Sequence, residues 1–109
     1  MLTTTARDAI QNAEAVALSP ISIYEITYAH QRGRVGLGLP LDEWLAVSLG
    51  AGITVLPVTQ DIAMLAGGLD WKHGDPADRL IVATANIHGT PLITTDKRIH
   101  ESELVEVVW

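Results

Sequence analysis

Three carboxylates, Glu25, Asp78 and Asp96, stand where they could act together. Glu25 and Asp78 each share a helical face with apolar residues three and four positions away. Asp96 directly follows the apolar run PLITT, so it would lie at the carboxyl end of a strand, where open α/β sheets bind their ligands. Converging carboxylates repel one another, and Mg²⁺ or Mn²⁺, which prefer oxygen ligands, would neutralise them. Such a site can activate water for phosphodiester hydrolysis, so the pattern predicts metal-assisted nucleolysis.

Each acid also has a structural interpretation. Asp75 fits the N-cap of the helix that begins at the next residue, and Asp78 fits its third position, where acids complement the helix dipole. Ser22 and Glu25 have the S-x-x-E spacing of a capping box, although Ser19 before a proline is the better helix start. Asp96 could simply belong to a polar turn. The residues alone leave these alternatives open.

Composition limits the class of protein. The 109 residues are 48% hydrophobic and 18% charged, which favours one folded domain spanning residues 1–109. There is no cysteine, which excludes disulfides and thiolate chemistry. The formal charge of -6 gives no general basic surface for nucleic acid, so phosphate would need a local patch or bound cations. No apolar run is long enough to span a bilayer and no signal peptide is recognisable, so a cytoplasmic location is expected.

Helical and extended patterns alternate along the chain, which predicts an α/β fold. Helices are expected in LTTTARDAIQNAEA, SPISIYEITYAHQRG, PLDEWLAVSLG, TQDIAMLAGGL and Pro76–His88. Strands are expected in AVALS, ITVLPV, TPLITTD and LVEVVW. Ser19 is the expected N-cap of the second helix, Gly33 and Gly89 are expected to end the second and the last helix, and DWKHG is expected to be a polar loop.

The order and spacing of these motifs resemble the PIN-domain family, in particular the VapC-type ribonuclease toxins of toxin–antitoxin pairs. The segment VALSPISIYEITYAHQRGRV carries Glu25, and DPADRLIVATANIHGTPLITTD carries Asp78 and Asp96, with ITVLPVTQDIA between them. The resemblance implies a PIN-like three-layer α/β/α fold with a mainly parallel sheet. It also implies that these three acids bind Mg²⁺ or Mn²⁺ and carry the catalysis, with Asp75 as a secondary acid.

The same resemblance implies function and partners. The chain would be a metal-dependent endoribonuclease that hydrolyses RNA and is blocked by a cognate antitoxin. Lys97 and Arg98, just beyond Asp96, would contact RNA phosphate, or would be ordinary solvated charges. The apolar C-terminal LVEVVW and a mean hydropathy of +0.24 favour a homodimer. No membrane or DNA partner is expected.

The chain departs from the family at its beginning. Family members start with an apolar strand that carries a first metal-binding aspartate and lies centrally in a 3-2-1-4-5 sheet, whereas this sequence opens at MLTTTARDAI. The central first strand is therefore expected to be missing, leaving unpaired edges at Val16–Leu18 and Leu92–Thr94. A shortened chain, a strand lent by a partner, direct pairing across the gap or a decayed gene would each account for this. The alternative function is a non-catalytic PIN remnant that binds an antitoxin or dimerises.

Overall fold

A computed structural model describes residues 3–72 and 75–109, without the side chains at positions 48 and 49. The described residues form six helices and four strands. The helices are α1 (Thr4–Asn12), α2 (Pro20–Gln31), α3 (Leu41–Gly50), α4 (Gln60–Gly68), α5 (Pro76–His88) and α6 (Lys97–Ser102). The strands are β1 (Val16–Leu18), β2 (Ile53–Val55), β3 (Leu92–Ile93) and β4 (Val107–Val108). None of the helices described is long and apolar enough to cross a membrane.

The helix and strand pattern predicted from the sequence is confirmed except for one element. All five expected helices and all four expected strands are present, with shorter ends than the sequence motifs indicate. The polar turn after Asp96, which the sequence left open as an alternative, is not formed, because α6 begins at the next residue. The predicted DWKHG loop lies partly outside the described residues, at positions 73 and 74.

Contacts divide the chain into two compact units, and the first of these is Glu14–Pro57. In it, β1 and β2 pair in parallel, with Val16 opposite Ile53. Helix α3 packs against β2. Helix α2 follows β1 directly, and the Ser19 hydroxyl caps it by accepting a hydrogen bond from the Ile21 backbone N–H at 3.1 Å. No residue of α2 is buried, so its apolar character is not matched by packing within the described chain.

The second unit comprises the described part of Met1–Ala13 together with Val58–Trp109. Its core is the contact between α4 and α5, where Ile62, Ala66 and Ala83 are buried. The small alanines let the two helices approach, which anchors α5 and therefore the acids at its beginning. Strands β3 and β4 pair in parallel in this unit, and α1 contacts β4.

The strands form two separate parallel pairs, β1 with β2 and β3 with β4. Each pair lies within one of the two units. The two strands of each parallel pair are connected through helices, α2 and α3 for the first pair and α6 for the second, as expected for an α/β fold.

Candidate functional site

Helix α5 begins with an aspartate cap. Asp75 has extended backbone angles, and its Oδ1 accepts a hydrogen bond from the backbone N–H of Asp78 at 2.8 Å. Pro76 takes the first helical position, where its missing N–H costs nothing. The predicted cap is thus present and uses the carboxylate of Asp75. The Asp78 side chain is not part of the cap, although Asp78 lies in the first turn of α5.

Asp78 is buried, with 8% of its surface exposed, on the face of α5 that also carries fully buried Val82. Its Oδ2 is buried and has no hydrogen-bond partner among the described residues. Leaving a buried polar atom unsatisfied costs about 1–3 kcal/mol. Burial raises the pKa of Asp78, the charges of Asp75 and Asp96 raise it further, and the guanidinium of Arg98 opposes them. One oxygen of this buried carboxylate therefore has no hydrogen-bond donor among the residues that the structure describes.

Asp96 lies between β3 and α6 and is the N-cap of α6. Its Oδ1 accepts a hydrogen bond from the Arg98 backbone N–H at 2.8 Å, and its own N–H donates to the Thr94 hydroxyl at 3.1 Å. Ile99, which is 3% exposed, anchors the short helix. Burial raises the pKa of Asp96, but hydrogen bonds from the side chain and backbone of Arg98 outweigh it and leave the pKa lowered.

A single guanidinium nitrogen brings the two acids together. Nη2 of Arg98 lies 3.3 Å from Oδ2 of Asp96 and 3.6 Å from Oδ2 of Asp78. The beginnings of α5 and α6 therefore place the carboxylates of Asp78 and Asp96 beside each other. The positive charge that lies between the two carboxylates is the guanidinium of Arg98.

Glu25 lies in the other unit, on α2, with an exposed side chain. The capping-box interpretation of Ser22 and Glu25 is wrong, because α2 begins at Pro20 and is capped by Ser19, which makes Glu25 the sixth residue of the helix. The participation of Glu25 in one site with Asp78 and Asp96 stays a prediction.

The two neighbouring acids fit a hard divalent cation as part of a ligand set. Their donors are carboxylate oxygens, which Mg²⁺ and Mn²⁺ prefer, and the unpartnered Oδ2 of Asp78 would gain a partner on binding. Across residues 3–72 and 75–109, no three histidine, aspartate or glutamate side chains are grouped as cation ligands. The acids brought together are therefore two of the three that the sequence predicted.

An open groove of about 530 Å³ lies beside α6 in the same unit. Thr94, Thr95, Lys97 and His100 are among its lining residues. Lys97 is exposed at the first position of α6 and supplies a positive charge next to Asp96. Hydroxyls and a lysine beside an acidic pair are groups that can hold a phosphate backbone.

Two features of this unit were not predicted from the sequence. One is the contact of Arg98 with both acids. The local signal for it is Asp96, two residues earlier, which has the spacing of an N-cap to the Arg98 backbone N–H. The other is the set of hydrogen bonds that Arg79 makes. Its Nη1 and Nη2 donate to the carbonyl of Leu69 at 3.0 and 2.8 Å, and Nη1 also donates to the carbonyl of Trp71 at 3.3 Å. Arg79 thereby ties the end of α4 to the beginning of α5, which steadies the turn that carries Asp78.

Comparison with known proteins gives two matches. The family model of the PIN domain matches residues 2–103. The ribonuclease VapC22 of Mycobacterium tuberculosis (strain ATCC 25618 / H37Rv) is 35% identical over 111 residues, a match that covers 99% of this chain and 85% of the relative.

Proposed function

Because this chain belongs to the PIN-domain family, we propose that it is a metal-dependent endoribonuclease of a toxin–antitoxin system. The observation that carries the proposal is the side-by-side placement of Asp78 and Asp96, with a buried Asp78 oxygen that has no hydrogen-bond donor within the described part of the chain. The similarity to a relative named as a ribonuclease supports RNA as the substrate. The reaction is hydrolysis of an RNA phosphodiester bond.

Asp78 and Asp96 would hold the Mg²⁺ or Mn²⁺ with their carboxylates, and we propose Glu25 as a third acid of the site. A cation held there supplies a hydrolytic water at neutral pH and offsets the negative charge that develops on the phosphate. Neither cap uses the Oδ2 of Asp78 or of Asp96, since α5 is capped by the Oδ1 of Asp75 and α6 by the Oδ1 of Asp96. The two short helix starts thus fix the carboxylates, which holds the site in position before substrate arrives.

Lys97 and Arg98 would position the RNA. Both lie in the first turn of α6, and Lys97 lines the groove beside it. Their charges would contact phosphate oxygens and fix the strand without reading its sequence. The chain as a whole is acidic, so this local pair supplies the attraction that the net charge of -6 does not.

We propose a cognate antitoxin as the protein partner and a homodimer as the assembly, in a cytoplasmic setting. The similarity to a VapC protein supports the first of these. The homodimer rests on the apolar C-terminal residues, of which Val107, Val108 and Trp109 are only partly buried. The mass of the purified chain measured by light scattering, 11.7 kDa for a monomer, tests it.

The test of the enzymatic proposal is RNA cleavage by the purified 109-residue chain with Mg²⁺ or Mn²⁺. The substrate is an end-labelled RNA with single-stranded loops. Cleavage is expected to need the cation, to stop on chelation with EDTA, and to fall to background in Asp78→Asn, Asp96→Asn and Glu25→Gln. Asp70→Asn is the matched control, because it removes the same charge from an exposed loop residue.

Cleavage by Asp78→Asn and Asp96→Asn at the rate of the unsubstituted chain would show that the proposal is wrong. Loss of activity only in Glu25→Gln would place the chemistry away from the acidic pair. If the chain binds Mn²⁺ but does not cleave RNA, the alternative applies, in which the chain is a non-catalytic PIN remnant that binds an antitoxin or dimerises.

A further inference from the structure

The Arg98 side chain occupies the space that both acids face. Its Nη2 is 3.3 Å from Asp96 Oδ2 and 3.6 Å from Asp78 Oδ2, so one positively charged group serves two carboxylates from different helices. The side chain of Asp78 is 11% exposed and that of Asp96 26%, whereas that of Arg98 is 48% exposed. The two carboxylates are therefore held in place, while the Arg98 guanidinium between them is open to solvent.

The backbone and side chain of Arg98 bind different oxygens of Asp96. The backbone N–H is bound by Oδ1 at 2.8 Å, which completes the cap of α6, while the guanidinium faces Oδ2. The guanidinium can thus leave without breaking the cap. Buried Ile99, next in the chain, keeps the helix seated when it does.

A divalent cation and the guanidinium cannot both occupy this position. Mg²⁺ lies about 2.0–2.1 Å from its oxygen ligands, closer than the nitrogen of Arg98 lies to either carboxylate. Two positive charges at such separation repel one another, so a cation bound by the two carboxylates would drive the Arg98 guanidinium away from their Oδ2 atoms. Binding of the cation is therefore coupled to movement of this one side chain.

We propose that Arg98 is the internal counter-ion of the acidic pair, which a divalent cation displaces on binding and which then becomes available to a phosphate of the RNA. The inference rests on the proposed function. Arg98 holds the pair of negative charges together in the metal-free chain and lowers its affinity for metal. When the divalent cation displaces Arg98, the freed guanidinium can bind a phosphate of the RNA beside the site. Binding of the metal and binding of the RNA therefore favour each other.

The test is calorimetric titration of the purified chain with MnCl₂, without RNA. Arg98→Gln removes the charge and keeps a side chain that suits a helix, and Lys97→Gln is the matched control, because it removes a neighbouring exposed charge of the same helix turn. Arg98→Gln is expected to bind Mn²⁺ about two- to fivefold more tightly than Lys97→Gln, as loss of a partly exposed ion pair predicts. Arg98→Lys, which keeps the charge, is expected to lie between Arg98→Gln and the unsubstituted chain. Far-UV circular dichroism of each variant checks that it is folded.

Equal Mn²⁺ affinity of Arg98→Gln and Lys97→Gln would overturn the inference and leave the metal site standing. Weaker binding by folded Arg98→Gln would also overturn it, because Arg98 would then support the site. Absence of Mn²⁺ binding in every variant would instead contradict the proposed function, and the inference with it. Mn²⁺ binding retained by Asp78→Asn with Asp96→Asn would place the metal elsewhere, which again overturns both.

Discussion

Replacing Asp78 by asparagine is expected to stabilise the fold. The ionised carboxylate is buried, its Oδ2 has no hydrogen-bond partner among the described residues, and its pKa is raised by burial and by neighbouring acids. An acid kept for the proposed cation site would cost stability when no cation is bound, as functional residues often do. Asparagine keeps the size of the side chain and removes the charge.

The size of the gain follows from two opposing effects. An unsatisfied buried polar group costs about 1–3 kcal/mol, and the Arg98 nitrogen at 3.6 Å offsets part of that cost for the ionised form. The amide of asparagine also needs partners and recovers only part of the difference. We therefore expect Asp78→Asn to raise the free energy of unfolding by roughly 1 kcal/mol, or the melting temperature by about 4 °C for a chain of this length.

The pH dependence gives the prediction its sign. The raised pKa means that the folded chain keeps a proton on Asp78 at pH values where the unfolded chain, with the ordinary value of 3.8, has lost it. The folded state is accordingly penalised as pH rises from about 4 through the raised pKa. The advantage of Asp78→Asn should be full at neutral pH and should vanish at pH values below 3.8. Asp96→Asn should behave oppositely, since the lowered pKa of Asp96 stabilises the fold above 3.8 and loses that effect as pH falls.

The assay is thermal unfolding followed by circular dichroism between pH 3.5 and 7.5 in buffer with EDTA. Asp70→Asn, an exposed loop substitution, corrects for the change in net charge. A melting temperature of Asp78→Asn at or below that of Asp70→Asn at neutral pH would refute the reasoning. So would an advantage that does not change with pH, because it could not then arise from ionisation of Asp78.

Three further substitutions test the elements that hold the acids. Asp75→Ala should lower the free energy of unfolding by about 0.5–2 kcal/mol through loss of the cap, while Asp75→Asn restores most of it; urea denaturation of the pair measures the difference. Gly89→Ala should cost about 1 kcal/mol, because Gly89 ends α5 with φ of 62°, although no atom lies within 4 Å of an added Cβ; equal unfolding midpoints would contradict this. Arg79→Met should cost roughly 1–3 kcal/mol through the lost bonds to the carbonyls of Leu69 and Trp71, and hydrogen exchange should show faster opening of the adjoining turn.

Local signals in the sequence were sufficient for the helix starts that matter most. Ser19 and Asp75 each precede a proline, and both cap a helix as expected. These signals act over two or three residues, so no tertiary context is needed to interpret them. The sequence also identified Asp78 as a core-facing acid, because the periodicity of α5 fixes which residues share its face.

Helix α6 could not be recognised in the same way. Its six residues include only Ile99 as a buried apolar anchor, and such a short helix has little stability of its own. Packing of Ile99 within its unit, together with the Asp96 cap, decides that the segment is helical. The sequence therefore left a polar turn open as an alternative at a position where the chain forms a helix.

The sequence by itself determined the α/β pattern, the caps and the identity of the acids, since these depend on residue type and short spacing. Only the tertiary structure decided that the beginnings of α5 and α6 meet and that Arg98 lies between Asp78 and Asp96. It also decided that Asp75 caps α5, while Oδ2 of Asp78 is buried with no hydrogen-bond partner among the described residues. The reason is physical. Asp78 and Asp96 are eighteen positions apart, and their contact depends on how α5, β3 and α6 fold back on one another, which no local pattern encodes.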